Sequence, residues 1–126
     1  MKNIKITALT LFVFGLMIQT SYAQNRQRLT PEERSERETS QIFASITTLS
    51  EEQKDQVKEI SLKYSKSMSE TMQNNRGDRE AMRSAMQSLR SEKDKELKEV
   101  FTEEQFAQYE KLRKEAGDRR RGRRNG

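Results

Sequence analysis

The sequence predicts an all-α protein of four helices around a long central hairpin, and three observations carry that prediction. A helix-start signature occurs three times along the chain, apolar residues between those starts recur at helical spacing, and strand signals are nearly absent. There is one Pro in 126 residues. No stretch outside the first two dozen residues alternates apolar and polar positions between turn residues.

The signature is an apolar residue, a Thr or Ser, two further positions, and an acid or amide. It stands at Leu29-Thr30-Pro31-Glu32-Glu33, Leu49-Ser50-Glu51-Glu52-Gln53 and Phe101-Thr102-Glu103-Glu104-Gln105. In such a sequence the hydroxyl accepts from an unpaired amide of the first turn, and the Glu or Gln reaches back to the amide of the capping residue. Acids in the first turn favour the positive end of the helix dipole, and Pro31 sits where its missing N–H costs nothing. A fourth start is predicted at Asp78, after Asn74-Asn75-Arg76-Gly77 closes the preceding run.

The predicted helices cover about 31–48, 51–74, 79–100 and 103–116. On the first, Ile42, Phe43, Ile46 and Leu49 share a face. Val57, Ile60, Tyr64, Met68 and Met72 do so on the second, and Met82, Ala85, Met86, Leu89, Lys93, Leu97 and Val100 on the third. Phe106, Tyr109 and Leu112 complete the set on the fourth. Each stripe is narrow. Long charged helices with narrow stripes predict a hairpin or coiled-coil-like layer rather than a thick globule.

The first residues predict export. Lys2 and Lys5 form a positive start, residues 6–18 are almost wholly apolar, and Ser21-Tyr22-Ala23 resembles a small-x-small cleavage site. Those 13 apolar residues fall short of the ~20 a membrane-spanning helix needs. The expectation is a signal peptide over 1–23, cut after Ala23, and a periplasmic protein. The remaining 103 residues suit one helical domain, 24–116, followed by an Arg-rich tail, 117–126, expected to be disordered. Leu, Ile, Val and Phe number only 14 after residue 23, so pairing with a second copy is the expected route to enough core.

The chain holds no His and no Cys, which removes the commonest general base, the thiol nucleophile, the soft metal ligands and any disulfide. The carboxylates cluster at helix starts and on charged faces, where capping and solvation explain them. The sequence therefore predicts no catalysis, no cofactor and no metal. Its most suggestive residues are Met68, Met72, Met82 and Met86, two pairs spaced by four on either side of the 74–77 turn. Adaptable thioethers suit a surface that takes irregular partners, although filling the hairpin core or a dimer contact is an equally ordinary use of them. Arg76, Arg79, Arg83 and Arg90 would add a cationic rim for acidic segments of unfolded chains. Arg119, Arg120, Arg121, Arg123 and Arg124 could meet an anionic envelope surface. No aromatic residue interleaves with them to stack bases, so nucleic acid is not expected.

With these residues in view the sequence resembles the Spy/CpxP family of small exported helical proteins, whose mark is a repeated Leu-Thr-x-x-Gln motif. Leu49, Ser50 and Gln53 match it with Ser for Thr, and Phe101, Thr102 and Gln105 match it with Phe for Leu; Leu29 to Arg34 looks like a third, degenerate copy. The resemblance spans about Leu29 to Leu112. It implies a curved four-helix protomer and a cradle-shaped antiparallel homodimer. It also implies one of two functions within an envelope stress response: ATP-independent binding of unfolded or misfolded envelope proteins, or inhibitory docking on the periplasmic sensor domain of a stress kinase.

Overall fold

Thr30, Ser50 and Thr102 each start a helix in the computed structural model, which describes residues 28–126. The predicted leader and its cleavage point lie outside the described residues. Four helices follow in order: α1 (Pro31–Ser45), α2 (Glu51–Asn74), α3 (Arg79–Val100) and α4 (Glu103–Arg124). No strand occurs among the described residues.

All three predicted capping boxes form. Glu33, Gln53 and Gln105 donate their amides to the hydroxyls of Thr30, Ser50 and Thr102 at 3.1–3.2 Å, and their side-chain oxygens accept from the capping amides at 2.9–3.0 Å. Asp78 caps α3 by accepting from the Ala81 amide at 3.0 Å. The turn before it needs Gly77, whose φ of +91° is one that side chains resist. Asn75 closes α2 through two bonds to the Thr71 carbonyl, one from its backbone and one from its side chain.

Two predicted boundaries are corrected. The first helix stops at Ser45 rather than near 48, because Ile46, Thr47 and Thr48 are consecutive β-branched residues just before the Ser50 cap. The segment from Gly117, expected to be disordered, continues α4 as helix to Arg124. Arginine is a good helix former, and Arg121, Arg123 and Arg124 lie at the negative end of the helix dipole. Those gains offset Gly117 and Gly122, each about 1 kcal/mol poorer than Ala in a helix.

The core gathers at one end of the molecule, where α1 and α3 finish and α2 and α4 begin. Ile42, Ile46, Leu49, Val57, Leu97, Phe101 and Tyr109 are buried there, with Phe43, Ile60, Val100, Phe106 and Leu112 packed around them. Each fully buried aliphatic side chain contributes about 1.5–3 kcal/mol relative to exposure. Away from this end the buried positions of α1 and α2 are Tyr64 and the small hydroxyl residues Ser35, Thr39, Ser61 and Ser65, and the Ser61 hydroxyl has no hydrogen-bond partner. Lys93 interrupts the apolar stripe of α3 for a reason the stripe alone did not give: it is 7% exposed and its ammonium meets the Glu38 carboxylate of α1. No described helix is long and apolar enough to cross a membrane.

Candidate functional site

The two complete motifs, 52 residues apart in sequence, meet in space. Leu49 and Phe101 enter the core, and Ser50 and Thr102 cap. Gln53 and Gln105 then do more than cap. Gln53 Nε2 donates to Gln105 Oε1 at 2.9 Å and to the Val100 carbonyl at 3.0 Å, while Gln105 Nε2 donates to Thr48 Oγ1 at 3.1 Å. Thr48 and Val100 each stand two residues ahead of a cap, so each glutamine reaches the approach to the other's helix. The motifs thus form a joint between the α1–α2 and α3–α4 connections. The first copy has Glu33 in place of the glutamine and caps α1 without joining this clasp.

The candidate binding residues are divided by the fold. Met82 and Met86 of α3, both half-buried, line an open groove of about 680 Å³ together with Arg79, Arg83 and Arg90 of the same helix and Arg113 of α4. Met68 and Met72 lie half-buried on α2 outside this groove, and Arg76 sits exposed in the turn. None of the four methionines belongs to the buried core. Of the two methionine pairs on either side of the 74–77 turn, the α3 pair lines this groove and the α2 pair does not.

The groove is electropositive because its α3 guanidiniums are uncompensated: Arg79, Arg83 and Arg90 make no ion pair with any described residue. Arg113 is the exception, held by the Asp94 carboxylate and set over the Tyr109 ring at 5.8 Å. Tyr109 in turn donates to Asp94 Oδ1 at 3.3 Å. Burial first, and the neighbouring Asp94 charge second, push the Tyr109 phenol well above its ordinary value of 10.0. Sequence reading missed Asp94 and Arg113; the only local signal was Tyr109 and Arg113 four apart on one helix face.

A second polar contact holds the hairpin itself. Glu96 of α3 accepts from Lys63 and, at 3.0 Å, from the Tyr64 hydroxyl of α2. The Lys63 hydrogen bond holds the Glu96 carboxyl below its ordinary range, and the same bond raises Lys63. Burial, then the Glu96 bond, raises Tyr64. Among the described residues no three His, Cys, Asp or Glu side chains gather as a metal-binding group.

Fold and groove together define a small all-α protein of four capped helices around an α2–α3 hairpin, with a glutamine clasp between its first and last helix connections and an open cationic groove. The family described as Domain of unknown function (DUF4890) matches residues 19–109, and the chain belongs to that family. Neither a curated protein nor a solved structure matches the chain.

Proposed function

We propose that this protein is a non-enzymatic, chaperone-like binder of partly unfolded envelope proteins, acting in the periplasm without nucleotide or metal, and that its client lies along the α3 groove. One observation carries this reading: the half-buried thioethers of Met82 and Met86 alternate along one face with three guanidiniums that no carboxylate of the described chain neutralises. Unbranched thioethers adapt to irregular apolar side chains, and unpaired arginines attract acidic segments over several ångströms. Such a surface tolerates many sequences, as a holder of unfolded chains requires. The resemblance of the paired motifs to the Spy/CpxP family points the same way.

Pairing with a second copy belongs to this proposal. Leu62, Met68, Met72 and Leu89 are only half-buried in the protomer, and an antiparallel partner laid along the hairpin would cover them and extend the groove into a cradle. Sedimentation at micromolar concentration tests this: a protomer mass alone removes the dimer from the proposal.

The direct test dilutes a denatured client into buffer with and without residues 24–126, in the absence of ATP, and follows light scattering. Near-stoichiometric suppression is expected. Met82→Ser with Met86→Ser, or Arg79, Arg83 and Arg90 all changed to Gln, should abolish suppression while far-UV circular dichroism stays unchanged, since none of these side chains is in the core. Suppression that survives both variants removes the groove from the proposal. A folded protein that suppresses nothing favours the second reading, docking on the periplasmic sensor domain of an envelope stress kinase.

A further inference from the structure

We propose that the last turns of α4, from Gly117 to Arg124, are a helical arm that docks the protein onto the phosphate headgroups of an anionic membrane surface, a reading that rests on the export predicted from residues 1–23. The arm differs from the rest of the molecule in charge. Residues 24–116 carry 18 Lys and Arg against 19 Asp and Glu, a formal −1, whereas residues 117–126 carry five Arg against one Asp, a formal +4. The densest positive charge therefore lies in this arm, separate from the α3 groove, while the bundle as a whole is close to neutral.

The arm is also free. After Tyr109 no residue of α4 is buried, and every residue from Gly117 to Gly126 is exposed. Among its arginines only Arg119 approaches a carboxylate, Glu115 at 3.9 Å; Arg120, Arg121, Arg123 and Arg124 have no ionic partner among the described residues. Because the segment is helical, their directions are set. At about 100° per residue Arg113, Arg120 and Arg124 fall within about 20° of one line along α4, with Lys114 and Arg121 on the neighbouring line. Arg113 is fixed to the bundle by Asp94 and Tyr109, so a surface gripped by the arm holds the bundle through one continuous helix.

The chemistry of the arm selects its occupant. Guanidiniums pair with phosphate in a two-pronged geometry and keep their charge at any physiological pH. The segment has no apolar residue to insert into a bilayer or to bury against an unfolded client, and no aromatic to stack on a base, so the contact is with headgroups and is ionic. Clusters of four to eight basic residues at a membrane surface bind anionic lipid in this way, each contributing about fivefold in partitioning.

The test is co-sedimentation of residues 24–126 with phosphatidylcholine vesicles containing or lacking phosphatidylglycerol. At an ionic strength of about 0.15 M the chain should pellet with the anionic vesicles only, and added salt should release it. Changing Arg120, Arg121 and Arg124 to Gln should weaken binding on the order of a hundredfold, and changing the same three to Lys should largely preserve it. Wild-type and Gln variant pelleting equally, or a wild-type chain that ignores the anionic vesicles, overturns the proposal. So does a chain that leaves those vesicles for a duplex oligonucleotide added at equal phosphate concentration, which would assign the arm to nucleic acid. The Gln variant should still suppress client aggregation, so the arm and the groove fail separately.

Discussion

Gln53 and Gln105 exchange two hydrogen bonds, at 2.9 and 3.5 Å, across 52 residues of sequence, and each also donates to the segment leading into the other's helix. The same residue type is used at once for a local purpose, capping, and a global one, joining two helix connections that are distant in sequence. A carboxylate could serve the first purpose, as Glu33 does in α1, but not the second, because only an amide donates.

That difference predicts unequal answers to the same exchange. Glu33→Gln should alter stability by less than about 0.5 kcal/mol, whereas Gln105→Glu should cost about 1–3 kcal/mol by removing the donor to Thr48 and to Gln53 Oε1 and by burying a carboxylate. Urea unfolding of both variants checks it. In a double-mutant cycle, Gln53→Ala and Gln105→Ala should couple by at least about 0.5 kcal/mol. Strict additivity would show that the clasp carries no energy of its own.

Stability should fall at both ends of the pH scale, for separate reasons. Glu96 is held below its ordinary 4.5 by Lys63, so its contribution is full above that value and is lost as pH falls through the depressed one. Tyr109, Tyr64 and Lys63 are raised above 10.0, 10.0 and 10.5, so their contributions are full below those values and vanish as pH rises through the raised ones. Thermal melts across pH should therefore show a plateau with an acid limb flattened by Glu96→Gln and an alkaline limb shifted by Tyr109→Phe.

The Lys93–Glu38 contact should behave as a partly buried ion pair. Lys93→Ala is expected to cost about 1–2 kcal/mol, less than the ~3–5 of a fully buried pair, because the Glu38 side chain keeps 28% of its exposure and stays partly solvated. Changing Lys93 to Met together with Glu38 to Gln should recover most of that loss, read as the midpoint of urea unfolding.

Glycine substitutions should separate the turn from the arm. Gly77→Ala is expected to lose about 1–2 kcal/mol, since φ there is +91°. Gly117→Ala and Gly122→Ala meet no atom within 4 Å and should each stabilise the α4 helix by about 0.5–1 kcal/mol, seen as added ellipticity at the helical band. No gain in ellipticity would mean that the arm is not limited by its glycines.

The four helices and all of their starts were legible in the sequence, because a capping box joins residues three apart and an apolar stripe repeats every three or four. Both are local and need no knowledge of what lies opposite. Where a local preference was misread, at Ile46–Thr48 and at Gly117–Arg124, the error was one of propensity: β-branched residues ended a helix early, and arginines carried one on through two glycines.

The tertiary structure alone decided what those helices meet. Nothing in the spacing of Gln53 and Gln105 shows that they touch, and nothing in the α3 stripe explains Lys93 until Glu38 of α1 is set beside it. The methionines make the same point. Their spacing by four put each pair on one helix face, but only the packing of α3 beside α4 put Met82 and Met86 with Arg113 in one groove and left Met68 and Met72 outside it. Sequence period determines which side chains share a face. Which faces share a space depends on contacts between distant residues, whose closure entropy and shape only the folded chain resolves.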